Sequence, residues 1–212
     1  MLRLIQIVFL FIFAWNQVGV AARQKVLVTV YYESKCPDSR YFVRDQLQPA
    51  VNLLHKYIRL KLVPFGKAHS IDRGRNGFKC QHGPSECAGN MVQSCALDLM
   101  QERNDVEKVS YVNCEMQTEA GTRNDMRCVV EAGLRPSDVQ DCIRSRGRSL
   151  QLEAEYLTNQ IRPRFIPTTT LNGVFKQIDQ DSSLRDLTAT LCTVIREGPC
   201  AHYHSMLRYI LL

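Results

Sequence analysis

The chain has 212 residues, is 45% hydrophobic, and carries a formal net charge of +6 from 27 basic and 21 acidic residues. That balance suits a globular chain with a sizeable core and excludes a disordered, low-complexity one. Basic residues are scattered apart from Arg144-Ser-Arg-Gly-Arg148. With no basic-aromatic ladder around it, that cluster reads as a solvated surface loop rather than a nucleic-acid surface.

In chain order, residues 1–22 read as a cleaved signal peptide. Arg3 supplies the charged start, Leu4 to Trp15 the apolar run and Val20-Ala21-Ala22 the small-residue cleavage site. The apolar run is shorter than the ~20 residues a membrane span needs, and no later segment is long and apolar enough to span. The expected mature chain is soluble and lumenal or secreted, a single domain over 23–200 with a C-terminal tail at 201–212.

Val26 to Tyr32 is an apolar, β-branched run and predicts a buried strand. A polar link, Glu33-Ser34-Lys35, leads to Cys36-Pro37-Asp38-Ser39, which opens a helical pattern. Pro37 suits the first helical turn, where its missing N–H has no partner to lose. Cys36 is thereby placed at the helix start, where unpaired N–H groups and the positive dipole end favour a thiolate, the nucleophile of disulfide exchange. The alternative is that Cys36 is one more structural disulfide half.

Apolar positions Tyr41, Phe42, Val43, Leu47, Val51, Leu54 and Tyr57 continue the helix, which Pro49 should bend or break. Ile58 to Val63 alternates and predicts a second, parallel strand. Gly66 to Gly77 reads as a loop. From about residue 80 to 161 the pattern is a cysteine-stapled helical insertion, with helices expected over Glu86–Arg103 and within Val106–Cys114, Thr122–Ala132, Ser137–Cys142 and Leu150–Ile161. Ser137 is expected to cap its helix. Zinc binding by Cys80, His82, Cys87 and Cys95 fits no paired-cysteine spacing, and an oxidising compartment favours disulfides there. Thr168–Leu171, Asn172-Gly173 and Val174–Lys176 read as a two-stranded hairpin. Asp181 to Arg196 reads as one closing amphipathic helix.

Nine cysteines in an exported chain imply disulfides, and nine is odd. Cys80, Cys87, Cys95, Cys114, Cys128, Cys142, Cys192 and Cys200 form an even set whose pairing the sequence leaves open. Cys36 is the one left over. A Cys36-linked dimer is the alternative to a monomer with a free thiol.

The segment Cys80-Gln-His-Gly-Pro-Ser-Glu-Cys-Ala-Gly-Asn-Met-Val-Gln-Ser-Cys95 matches Cys-Gln-His-Gly-x2-Glu-Cys-x2-Asn-x4-Cys at every fixed position. With the strand–Cys-Pro stretch, Ile166-Pro167 and the late cysteines in order, the chain resembles the gamma-interferon-inducible lysosomal thiol reductase (GILT) family from about Val26 to Cys200. The resemblance implies an α/β, thioredoxin-like domain with a disulfide-stapled helical insertion, and thiol-disulfide oxidoreductase activity on protein substrates. It also implies a cis Ile166-Pro167 bond facing Cys36, where a substrate strand would dock. The family site is Cys-x-x-Cys, and Ser39 stands where its second Cys would be. The candidate catalytic residues are therefore Cys36, Ser39 and Pro167, working without a bound cofactor and drawing on an external thiol such as cysteine or glutathione. Ser39 would donate a hydrogen bond to the Cys36 thiolate. No Asn-x-Ser/Thr sequon is present, so secretion is expected, with lysosomal delivery and an immune role the settings that the resemblance adds. The competing reading is a catalytically impaired secreted binding protein that retains the fold.

Overall fold

The structure, a computed structural model, describes residues 24–201. The predicted signal peptide and all but the first residue of the predicted tail lie outside that range.

Strand β1 (Val26–Tyr32) leads through a four-residue turn into α1 (Pro37–Phe42), a π-helical turn (Val43–Leu47) and α2 (Gln48–Leu54). Of the expected bend or break at Pro49, no break occurs: helical backbone continues past it after a π turn. Gln48 N–H donates to Val43 O across the π turn, and this one-residue insertion lets the helix run on past the proline. Strand β2 (Ile58–Pro64) then returns parallel to β1, in register from Val26↔Ile58 to Tyr32↔Pro64. The stretch expected as a plain loop holds a small antiparallel ribbon, β3 (His69–Ser70) with β4 (Phe78–Lys79).

The insertion is helical as expected: α3 (Pro84–Leu99), α4 (Asp105–Thr118), a 3₁₀ turn (Gly121–Arg123), α5 (Arg127–Glu131), α6 (Pro136–Ser145) and α7 (Gly147–Ile161). Pro37, Pro84 and Pro136 each occupy the first turn of a helix, where proline does least harm. Asn104 and Glu107 form a reciprocal capping box on α4. Ser137 does not cap α6. Arg135 holds that position without a side-chain bond, because the helix already starts at Pro136. Nor is the Arg144–Arg148 cluster a loop. It spans the α6–α7 junction, where Arg144 pairs with Asp141 and Arg146 with Asp98 at 2.5 Å.

Strand β5 (Thr168–Leu171) pairs antiparallel with β1, giving a central sheet of order β2-β1-β5. Asn172 extends that pairing, its N–H donating to Leu27 O and its Oδ1 accepting from Leu27 N–H. The Asn172-Gly173 turn forms, both residues at positive φ, as a tight hairpin turn requires. The expected partner strand at 174–176 does not follow. Only a single Leu171↔Val174 bridge forms, and the exposed residues after it turn into α8 (Gln177–Arg185). The expected single closing helix is two, because Asp186 leaves helical backbone and caps α9 (Leu187–Val194) through Ala189 N–H at 2.8 Å.

Val28, Val30 and Tyr32 pack into the main core with Phe42, Leu47, Leu54 and helices α4 and α9, while Tyr31 joins a second cluster with Val63, Phe65 and Ala154. Burial on both faces explains the continuous apolar run of β1. Each fully buried Val or Leu there contributes about 1.5–3 kcal/mol. Four disulfides staple the outer layer: Cys80–Cys87, Cys95–Cys142, Cys114–Cys128 and Cys192–Cys200. The Cys95–Cys142 bridge closes the longest loop, 47 residues, and constrains the unfolded chain most.

Candidate active site

The end of β1 and the start of α1 place Cys36. Its backbone is extended, φ −69 and ψ 121, as a helix N-cap requires. Its N–H donates to Glu33 O at 3.2 Å, closing the turn. The side chain is 7% exposed and its thiol is free. The sulfur accepts from Ser39 N–H at 3.5 Å, one turn into the helix. It also lies 3.8 Å from the carbonyl oxygen of Ile166, to which the thiol donates.

Ile166 precedes Pro167, and their peptide bond is cis. The cis loop is held by Gln180 of α8, fully buried, whose Nε2 donates to Pro167 O at 3.1 Å while its Oε1 accepts from Thr169 N–H at 2.7 Å. Cys36 and the Ile166-Pro167 loop are thus brought together, although 130 residues separate Cys36 from Ile166. Beside them runs an open groove of about 380 Å³, lined by Asp38, Tyr41, Phe42, Phe165, Pro167 and Leu184 among others. Tyr41 and Leu184 are both exposed there.

Ser39 occupies the position of the missing second thiol and is fully buried. Its backbone N–H, not its hydroxyl, reaches the sulfur. The hydroxyl accepts from Glu33 N–H at 3.5 Å, and among the described residues the bond between Ser39 and the sulfur is that of the backbone N–H.

The sequence reading missed the layer behind the nucleophile. Ser34 N–H donates to Asn90 Oδ1 at 2.9 Å, Ser34 Oγ donates to Glu86 O at 3.0 Å, and Lys35 Nζ donates to Ser85 Oγ at 3.1 Å. Gly89 permits this approach, since a Cβ there would lie 2.6 Å from Ser34 Oγ. Glu33 and Glu86 are both fully buried, and His82 Nδ1 lies 2.5 Å from Glu86 Oε2 and 3.5 Å from Glu33 Oε2. The signal for this layer was present in the polar residues Gln81, His82, Glu86 and Asn90 at fixed signature positions.

Among the described residues, two sets of side chains bring metal-type donor atoms within 4.8 Å of one another. In one, Cys114 and Cys128 are joined to each other and offer no thiolate. In the other, His82 Nδ1 hydrogen-bonds Glu86, Glu86 also accepts His82 N–H, and Glu33 accepts Lys67 N–H with His82 Nδ1 3.5 Å away. Of the weighed zinc ligands, Cys80, Cys87 and Cys95 are all in disulfides.

Burial is the main cause that pushes the Glu33 carboxyl up to about 7. The Lys67 N–H opposes it, the Glu86 charge reinforces it, and His82 and Lys67 oppose it. Between the ordinary carboxyl value of 4.5 and about 7, the folded chain keeps a proton that the unfolded chain releases. The associated stability is complete at acidic pH and is lost as pH rises through about 7. Glu33→Gln should match wild type near pH ~4.5 and exceed it near pH ~8 by on the order of 2–3 kcal/mol in denaturant titrations. Glu115, also raised by burial, adds its slope to both proteins, so the difference isolates Glu33.

Comparison with known proteins agrees with this geometry. In the solved structure of reduced DsbA from Mycobacterium tuberculosis, 87% of this chain aligns with 89% of that one at TM-score 0.55 and 17% identity. Reduced DsbG from the same organism covers 85% of this chain and 80% of its own at TM-score 0.52 and 18% identity. The fold is therefore thioredoxin-like with a helical insertion. A gamma-interferon-inducible lysosomal thiol reductase-like protein of Anopheles gambiae is 33% identical over 84% of this chain and 80% of its own length. The gamma-interferon-inducible lysosomal thiol reductase of Mus musculus is 30% identical over 82% and 74%. The family model for gamma interferon inducible lysosomal thiol reductase (GILT) matches residues 27–132, a span holding both the Cys36 turn and the segment that braces it. On these grounds the chain belongs to the GILT family.

Proposed function

We propose that this chain is a thiol-disulfide oxidoreductase acting on protein disulfides through a single nucleophilic sulfur, Cys36. The observation that carries the reading is the free Cys36 thiol at a helix start, 3.8 Å from the carbonyl of Ile166 and its cis-Pro167. An extended substrate segment docked along this loop would present its disulfide to the sulfur, with apolar side chains entering the adjoining groove.

The Cys36 thiolate attacks one substrate sulfur, a mixed disulfide forms, and the other substrate sulfur leaves as a thiolate that takes up a proton. Ser39 provides no second thiol, so release falls to an external thiol. One molecule attacks the Cys36 sulfur and frees the substrate thiol. A second then reduces the resulting Cys36 adduct, so two external thiols leave as one disulfide and the substrate gains two thiols. Cysteine or glutathione would serve, and no bound cofactor is required.

Secretion is the proposed destination, with lysosomal delivery as the alternative suggested by relatives named for that compartment. Among the described residues no helix is long and apolar enough to cross a membrane. An immune setting belongs to the same reading and draws on relatives named as inducible by gamma interferon. The second reading, a binding protein that keeps the fold, is favoured only by Ser39.

Turnover of a denatured disulfide-bonded protein should rise in proportion to free cysteine concentration without an early plateau, because resolution is bimolecular. Exchange that never exceeds the free-thiol background would reject the oxidoreductase reading.

A further inference from the structure

Every residue of the 33–36 turn is tied to another segment, and Glu33, Ser34 and Lys35 are tied to the signature segment. Besides the Ser34 and Lys35 bonds, the Glu33 carboxyl accepts Lys67 N–H at 2.7 Å. With its amide oriented to donate, Gln81 Nε2 reaches both Glu33 oxygens at 3.1 and 3.2 Å. Gly66 lies so close that a Cβ there would stand 2.2 Å from Glu33 Cγ, so the side chain has one place to go. The groups that face this carboxyl are Lys67 and Gly66 from the loop after β2, Gln81 and His82 from the stretch before α3, and Glu86 from α3 itself. Glu33 in turn holds both parts of the candidate site through its backbone, its carbonyl accepting Cys36 N–H and its N–H donating to Ser39 Oγ.

We propose that the 81–90 segment clamps the 33–36 turn, and that Glu33 is the positioning residue through which pH acts on the reactivity of Cys36. This rests on Cys36 being the reactive sulfur of the proposed function. With Glu33 neutral, the clamp holds one buried negative charge at most, on Glu86, with His82 against it. Ionised Glu33 adds a like charge beside Glu86, which loads the turn whose Glu33 carbonyl and N–H hold Cys36 and Ser39. Its burial and its raised carboxyl value place that change within an accessible pH range.

The test is the rate at which iodoacetamide alkylates Cys36, followed from about pH 5 to about pH 8.5 in wild type and Glu33→Gln. Gln keeps the shape and the acceptor oxygen but does not ionise. The two rates should agree near pH ~5, and Glu33→Gln should become faster by roughly threefold or more at the alkaline end. A ratio that stays constant across the range overturns the proposal, and so does one in which wild type becomes the faster at alkaline pH, the direction that loss of stability alone would give.

Should Glu33→Gln fail to fold, the wild-type Glu33 carboxyl carbon can be followed by ¹³C NMR together with the Cys36 amide. A shared midpoint near 7 supports the proposal, and a Cys36 amide that ignores the Glu33 titration overturns it. Neither readout needs a disulfide substrate, so a chain inactive in exchange would sink the proposed function without deciding this one.

Discussion

Replacing Ser39 with Cys should raise turnover on a denatured disulfide substrate by roughly tenfold or more at millimolar free cysteine. Ser39 sits one turn after Cys36 with its N–H 3.5 Å from the sulfur, so a thiol at that position is held beside any mixed disulfide formed on Cys36. Its attack is intramolecular, at an effective concentration that a dissolved reductant does not reach. The exchange is sterically mild, since serine and cysteine differ by one atom. Among the described residues, the hydrogen bond at stake at the Ser39 hydroxyl is the long one from Glu33 N–H at 3.5 Å. Initial rates near pH ~5 and pH ~7 at several cysteine concentrations check this. The variant should also lose the first-order dependence on external thiol, and a rate equal to wild type would mean that resolution does not limit turnover.

Replacing Cys36 with Ser should reduce exchange to the free-thiol background and leave the fold in place. Cys36 belongs to none of the four disulfides, so removing its sulfur opens no loop. Serine is also a better N-cap than cysteine, because its hydroxyl oxygen accepts the Ser39 N–H more strongly. Melting should therefore stay level or rise by up to about 1 kcal/mol of stability. Substantial unfolding of this variant would show that Cys36 is a packing residue first.

The strand–Cys-Pro–helix unit was legible because every local preference there agrees: β-branched residues in the strand, a polar link, then proline where a helix tolerates it. The four-pair cysteine ledger was legible in number, but its connectivity depends on how α3 packs on α6 and α4 on α5, which no local pattern encodes. The partner strand expected at 174–176 failed because a correct Asn-Gly turn does not supply a surface to bury the strand after it. Asp186 was hidden inside an apolar periodicity that runs across it, although its own capping chemistry splits the helix.

Glu33 was the costliest omission. Its meaning lies in Gln81, His82 and Glu86, about fifty residues on, and a lone glutamate after a strand reads as a polar link. The position of Ser39 one turn after Cys36 was legible from helical geometry. The direction of its hydroxyl was not, since that is settled by Glu33 N–H across the turn.

If Cys36 alone attacks substrate and waits for an outside thiol, intact mass and peptide mapping of the protein with Cys36 reduced, after mixing with a peptide disulfide and no free thiol, will show it. One adduct per chain is expected, joined to Cys36, stable until cysteine is added and then released together with the free peptide thiol. No adduct, or an adduct carried by any of the other eight cysteines with Cys36 untouched, would contradict it.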